Sequence, residues 1–432
     1  MALRGDSQAL PVCGPQNGEI EIDFTAPPGV TALIASLGRT EDARFSPNNR
    51  RLAVAGFGLD RIAVFDIDIA TTAAGTRIAV TGGVELSSPA LKRPHGLDFI
   101  DDETLIVANR TGDVAIFGVP TGGTDPRSHG VLPIQTWRTG GASPLKSPGS
   151  VTVASVDGNR REILICNNFG NTVTRHVLDA GAGCVARSSD VLLRKWLDVP
   201  DSVTVSPDGR WIAVSNHATH CVLLYERGPS LNEHADPDGI LRRVHYPHGL
   251  RFSSDGRYLF VADAGAPYVY VYANDGAGWR GVRQPAATIR VIDNSLFLRG
   301  QENPAEGGPK GIDVDAGSRV LVITSEFRPL AFFDLPAMVA RASVRDSGRS
   351  WTRHAAGPGG AVNGIDDAPN GRSEREQCAL EVSYELSLIE HNQRLKGRIR
   401  EVEERLAYME NSKSWRFTAP LRRLHWKLHS VS

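Results

Sequence analysis

A chain of 432 residues exceeds one ordinary domain, and its composition, 41% apolar and 22% charged, is that of a globular protein. A net charge of −1 argues against general attraction to nucleic acid, and no apolar run reaches the roughly 20 residues of a spanning helix. The 44 glycines and 26 prolines imply many turns. No apolar run precedes the first acid, so no secretory leader is expected. The five scattered cysteines (Cys13, Cys166, Cys184, Cys221, Cys378) show no metal-type spacing. Reduced thiols in a cytoplasmic protein are the simplest account.

One pattern recurs six times along the chain: a small or polar residue, then apolar–x–aromatic/Val, a polar turn and a short apolar strand. The openings are Asp42-Ala43-Arg44-Phe45, Gly96-Leu97-Asp98-Phe99, Ser150-Val151-Thr152-Val153, Ser202-Val203-Thr204-Val205, Gly249-Leu250-Arg251-Phe252 and Gly311-Ile312-Asp313-Val314. The repeat is about 54 residues, close to the longer propeller blades. Each unit reads as strands A to D. Strand B covers residues 52–55, 105–108, 163–166, 212–215, 259–262 and 321–324, apolar enough to lie between sheets. Strand C alternates more, at 61–66, 114–117, 221–225, 268–272 and 330–334. Strand D is weakest, at 191–197, 241–246 and 288–292. Such sheets must pack radially to bury both faces, which predicts an all-β, six-bladed propeller over residues 29–345. Residues 30–37 precede the first strand A as other D strands precede theirs, and are expected to complete the last blade. A seventh blade beyond Asp334 is less consistent, because that stretch lacks the opening motif.

The runs Phe252-Ser253-Ser254-Asp255-Gly256-Arg257-Tyr258-Leu259-Phe260-Val261-Ala262-Asp263 and Val205-Ser206-Pro207-Asp208-Gly209-Arg210-Trp211-Ile212-Ala213-Val214-Ser215-Asn216 resemble the YVTN and lactonase-type propeller superfamily. The resemblance spans roughly residues 30–336. It implies that strand A lies nearest the axis, so two rings of residues converge on one face. Glu41, His95, Gly149, Asp201, His248 and Lys310 precede the openings; Gly56, Asn109, Asn167, Asn216, Asp263 and Ser325 follow each strand B. Oxygen ligands, two imidazoles and an ammonium suit a metal or polar ligand. Pro94-His95-Gly96 and Pro247-His248-Gly249 resemble axial positions of gluconolactonase-type enzymes, which hold a divalent metal with Glu, Asn and Asp. The resemblance implies Glu41 and Asp201 as metal ligands, for calcium, magnesium, manganese or zinc. It departs at Gly149, where neighbouring Asn167 is the available substitute. Asn109, Asn167, Asn216, Asp263 and Lys310 are the candidate ligand-binding residues. The Asn and Asp residues also suit caps of the tight B–C turns. His217 and His220, three apart in a loop, read as a weak metal signal and as surface polarity.

Glycine and proline crowd residues 346–373, which read as a linker. From Glu374 to Asn411 helix formers dominate. Leu395, Ile399, Val402, Leu406 and Met409 are spaced 4, 3, 4, 3, the seam of an α-helical coiled coil, with Leu388 and Asn392 in phase. Self-association is expected there. Residues 412–432 carry Lys413, Arg416, Arg422, Arg423 and Lys427 with no acid, beside Trp415, Phe417, Leu421, Leu424, Trp426 and Leu428. This basic amphipathic tail suits an anionic membrane surface or a partner. Ser412-Lys413-Ser414-Trp415-Arg416-Phe417-Thr418-Ala419-Pro420-Leu421-Arg422 resembles a motif that follows coiled coils in bacterial surface-polysaccharide biosynthesis proteins.

Two functions fit these residues. One is a non-catalytic scaffold or ligand-binding module of cell-surface polysaccharide assembly, cytoplasmic or peripheral at the inner membrane face. The other is a metal-dependent lactonase-type hydrolase, with His95 or His248 moving protons. The phosphate-loop, nucleophile-elbow and zinc-helix motifs are absent. The scaffold is the expected reading, and catalysis the alternative.

Overall fold

The structure is a computed structural model that describes residues 20–72, 75–274, 276, 278–301, 306–346 and 374–411. The residues 1–19, most of the expected linker, and the basic tail lie outside the described residues. All six openings fall in the innermost strand of a blade. Blade 1 comprises Thr40–Phe45, Arg51–Gly56, Arg61–Thr72 and Gly75–Ser87, and blade 2 Pro94–Asp101, Thr104–Asn109, Val114–Gly118 and Gln135–Trp137. Blade 3 is Pro148–Asp157, Arg160–Asn167, Thr172–Asp179 and Val185–Leu193. Blade 4 is Pro200–Val205, Trp211–Asn216, Cys221–Glu226 and Gly239–Leu241, with Gly281–Arg283 added outside. Blade 5 is Pro247–Phe252, Tyr258–Asp263, Tyr268–Ala273 and Ala287–Arg290; blade 6 is Pro309–Val314, Val320–Ser325 and Ala331–Asp334 plus a strand from the N-terminal side. Each strand A contacts the next, and that of blade 6 returns to that of blade 1. The ring therefore closes at six.

The A–B turns follow from their residues. In blades 4 and 5 Gly209 and Gly256 sit at φ 72° and 68°, and each amide donates to the carbonyl of the serine three residues earlier, at 2.8 and 2.9 Å. Ser206 Oγ accepts from the Trp211 amide at 2.9 Å, which fixes the register of the next strand. The B strands are buried, and apolar layers fill the spaces between blades. Between blades 6 and 1, for example, Phe332, Val320 and Val322 meet Phe65, Leu52 and Val54. Each such side chain stabilises the ring by about 1.5–3 kcal/mol. The outer D strands of blades 3 and 4 begin and end two to six residues before their expected places, because their short, mixed pattern constrains them little, whereas that of blade 5, Ala287–Arg290, falls within two residues of its own.

Closure corrects one expectation. Residues 30–37 do not form the last strand; they lie in a helix, Pro28–Ser36, and its C-cap Leu37. Pro28 occupies the first helical turn, where its missing N–H costs nothing. Val30, Leu33, Ile34 and Leu37 are spaced i, i+3, i+4, i+7 and are buried against the seam between blades 6 and 1. The strand that completes blade 6 is Glu21–Ile22, antiparallel to Phe333 and Phe332. Arg328 also pairs with Glu21. Beyond Asp334 the chain forms the helix Leu335–Asp346, whose Leu335, Met338 and Ala342 pack on Ile289, Val291 and Phe333.

The chain divides into two compact units, Met1–Val382 and Ser383–Ser432. The expected C-terminal helix is present as Glu374–Asn411. Its first turns belong to the first unit, where Cys378 Sγ lies beside Gly281 of blade 4. Cys166, Cys184, Cys221 and Cys378 are free thiols, the first three buried. Among the described residues no helix is long and apolar enough to cross a membrane.

Candidate functional site

Every strand A begins with a register irregularity. The shifts fall between Thr40 and Ala43, Pro94 and Gly96, Pro148 and Ser150, Pro200 and Ser202, Pro247 and Leu250, and Pro309 and Ile312. Such bulges re-aim side chains, and proline is tolerated at a strand's first position. The six bulges each contain one residue of the first axial ring. Glu41, His95, Asp201, His248 and Lys310 are consequently buried together at the axis, between 1 and 4% exposed.

Their heads are in contact. His248 Nε2 lies 3.2 Å from Glu41 Oε2 and 3.2 Å from Asp201 Oδ2. His95 Nε2 is 3.7 Å from the same Glu41 oxygen and 3.9 Å from Asp201 Oδ1. The two imidazoles stack with centroids 5.2 Å apart. His95 Nδ1 is 2.6 Å from the Gly149 carbonyl, which can only accept, so Nδ1 carries the proton and Nε2 presents its lone pair. Arg110 Nη1 occupies that lone pair at 2.5 Å. Lys310 Nζ reaches Glu41 Oε1 at 3.4 Å and Glu306 Oε2 at 3.1 Å. Among the described residues, buried Glu41 Oε2 meets no partner with good hydrogen-bond geometry, although His248 Nε2 lies 3.2 Å away.

The surroundings set the charges. Burial opposes ionisation of Glu41, but Lys310, His95, His248 and Arg39 together hold it well below the usual carboxylate range. Asp201 is likewise lowered against its burial, by His248, His95, Arg110 and His217. Burial and then Arg110 push His95 down to about 3, which keeps it neutral. For His248 burial is outweighed by Asp201 and Glu41, and its pKa rises.

The second ring is arranged differently. Asn109 Oδ1 accepts from the Lys92 amide at 2.9 Å, Asn167 Oδ1 from Lys146 at 2.7 Å, and Asn216 Oδ1 from Asp198 at 2.6 Å. Asp263 accepts from the His245, Tyr246 and Gly265 amides at 2.7–2.9 Å. These four side chains pin the B–C turns to the preceding D–A loops. The next residue along carries the polar group into the axis: Arg110, Asn168, His217 and Glu326, with Phe57 in blade 1. Phe57 packs edge-on against His95, and the Arg39 guanidinium lies over the Phe57 ring, 4.7 Å from its centroid. Asn168 Nδ2 donates to Asp201, and His217 sits 3.7 Å from Asp201 and 3.4 Å from Glu306. His220 is turned away and stacks on His245.

Sequence reasoning missed Arg39, Arg110, Asn168, Glu306 and Glu326, and read His217 only as a weak metal signal or as surface polarity. Asn168 had a signal, since Gly149 leaves its blade without an axial side chain. Glu306 had another in the glycines after it. A Cβ on Gly308 would overlap the Asp263 and Ala266 carbonyls, so this loop passes against blade 5 only as glycine. A separate groove of about 580 Å³ lies at the outer edge, lined by residues such as Glu21, Asp68 and Arg77, away from this chemistry.

Fold and site together define a six-bladed β-propeller with a buried, charged axial cluster. Comparison of the sequence with protein families and with curated proteins gives no match. Solved structures are similar at the level of the propeller. One is a protein of unknown function from Desulfotomaculum acetoxidans, 15% identical, with a TM-score of 0.45, covering 69% of this chain and 83% of its own. Two are proposed 6-phosphogluconolactonases. That from Bacteroides uniformis is 11% identical with a TM-score of 0.42, covering 66% of this chain and 77% of its own. That from Bacteroides fragilis is 12% identical with a TM-score of 0.42, covering 68% and 79%.

Proposed function

We propose that the axial cluster holds a divalent first-row cation and that the chain is a metal-dependent hydrolase of a small ester or lactone. One observation carries the reading: Glu41 Oε2 lies 3.7 Å from His95 Nε2 and 3.2 Å from His248 Nε2, with Asp201 beside them, its Oδ1 3.9 Å from His95 Nε2 and its Oδ2 3.2 Å from His248 Nε2. Ligands each about 2.0–2.2 Å from one tetrahedral ion are separated by about 3.3–3.6 Å, close to the spacing of Glu41 from the two imidazoles. Glu41, His95 and His248 form the metal-ligating group of the described residues, and Glu41 Oε2, buried and poorly placed for its hydrogen-bonding neighbours, is the atom an ion would satisfy. Two imidazoles with two carboxylates favour zinc or manganese over calcium or magnesium.

Such an ion, when bound, polarises a carbonyl and acidifies a water. The chain's own groups do the rest. The Gly149 carbonyl fixes the His95 tautomer, while Asn168 holds Asp201 in place. Arg110, part-exposed over Phe169, has to leave His95 for the ion to enter, and then serves with Arg39 as a donor to substrate oxygen. His95 and His248 act as ligands in this reading, so proton transfer falls to His217, the imidazole nearer the mouth. Elemental analysis of native protein, followed by thermal shift with zinc, manganese, magnesium and calcium, tests the site. A lactone and ester panel with and without chelator then tests the reaction. Metal-free protein with no shift overturns the reading.

A different observation favours the non-catalytic module. Glu41, Asp201, Glu306 and Glu326 face Arg39, Arg110, Lys310 and a His248 of raised pKa, so the cluster is balanced without an ion. On that reading the cluster is a polar plug. Polysaccharide-assembly proteins or an anionic membrane are then engaged through residues 412–432. Sedimentation with anionic vesicles, lost on truncation after Ser373, is its test.

A further inference from the structure

The helix Glu374–Asn411 changes its apolar stripe along its length. Val382, Leu386 and Ile389 are buried, whereas Leu395, Ile399, Val402 and Leu406 are 41–63% exposed. Four large apolar side chains on one exposed stripe call for a partner. The spacing identifies its geometry. With Ile399 and Leu406 at heptad position a, Leu395, Val402 and Met409 fall at d, and Asn392 falls at a one heptad earlier. Ile399 at a with Leu395 at d favours two strands, Leu406 at a with Val402 at d does not, and the single asparagine at a, Asn392, selects a dimer in register.

The flanking charges choose the partner. Arg398 and Arg405 take position g, and Glu403 and Glu410 position e. In a parallel, in-register pair of identical helices, each g residue meets the e residue of the following heptad on the other chain. Arg398 then faces Glu403 and Arg405 faces Glu410, on both sides of the seam. An antiparallel pair would set arginine against arginine and glutamate against glutamate. Lys396 and His391, at e and g, add no attraction. Gly397 falls at f, on the outside, with open space around its Cα, so it does not disturb the seam. We infer that a second copy of this chain occupies the stripe, forming a parallel two-stranded coiled coil from Asn392 to Met409, independently of what the axial site binds.

This seam is only about 27 Å long, so association should be moderate and concentration-dependent. Sedimentation velocity of the full-length chain across the micromolar range should show twice the chain mass. Reversing Arg398→Glu and Arg405→Glu should leave monomer, because glutamates would then face glutamates. Mixing that variant with a Glu403→Arg, Glu410→Arg chain should restore a dimer containing one copy of each, which a folding defect could not do. Val402→Cys should cross-link under oxidation where the parent does not, since d residues meet across a parallel seam. A parent that stays monomeric, a trimer, or a charge-reversed chain that dimerises as well as the parent each overturns the inference.

Discussion

Asn168 of blade 3 stands in the space that any side chain on Gly149 would need. A Cβ on Gly149 would overlap the Asn168 Oδ1, while the same asparagine donates to Asp201 from its other arm. Blade 3 thus serves the axis from its B–C loop instead of its bulge. Gly149→Ala should cost about 1–3 kcal/mol by overpacking. In an Asn168→Ala background the same change should cost less than half as much, because the obstructing amide is gone. A thermal double-mutant cycle measures this, and strict additivity would refute the relationship.

Arg110 competes with a cation for His95 Nε2, and its charge repels any ion at the axis. Arg110→Ala should therefore tighten zinc or manganese binding by about tenfold, roughly 1.4 kcal/mol. Glu41→Gln and Asp201→Asn should weaken it, since carboxylates bind divalent ions better than neutral amides. Titration calorimetry distinguishes these; equal affinities for all four proteins would remove the metal from the axis.

His176, between blades 2 and 3, predicts a pH effect that does not involve the site. It stacks on Trp137 at 5.1 Å between centroids, and its ring nitrogens meet Ser189 and Thr174 at 2.8 and 3.0 Å. Burial, only partly opposed by Asp190, lowers its pKa from 6.5 to about 4. The unfolded chain takes up a proton near 6.5 that the folded chain refuses until about 4. The contribution is therefore complete above pH 6.5 and is lost as pH falls through that window, by about 3 kcal/mol. Denaturant unfolding of wild type and His176→Gln at pH 7 and pH 4 should differ by this amount in their stability gap. Parallel pH curves would contradict it.

Removing residues 1–25 deletes the strand Glu21–Ile22 and bares the edge of Ala331–Asp334. That protein should aggregate and melt several degrees lower than the full-length chain. Light scattering during a thermal ramp compares the two. Equal behaviour would mean that closure does not depend on this strand.

The sequence alone determined the repeat, the six openings and the buried B strands, because alternating openings, continuous apolar B runs and Ser-x-Asp-Gly turns are local physics. It also placed Glu41, His95, Asp201, His248 and Lys310 on one ring, since equivalent positions of a closed repeat share a face. Tertiary structure decided what local patterns could not. Residues 30–37 could be strand or helix by apolarity, and the seam between blades 6 and 1 took the helix. The step from Asn167 to Asn168, or Asn216 to His217, reverses a side chain's direction, so one position separates a turn cap from an axial group. Arg39, Glu306 and Glu326 reach the axis from three different connections, and only closure of the ring brings Arg39 in blade 1 within 4 Å of both acids. Their long-range pairing depends on charges meeting in space, which no local sequence pattern encodes.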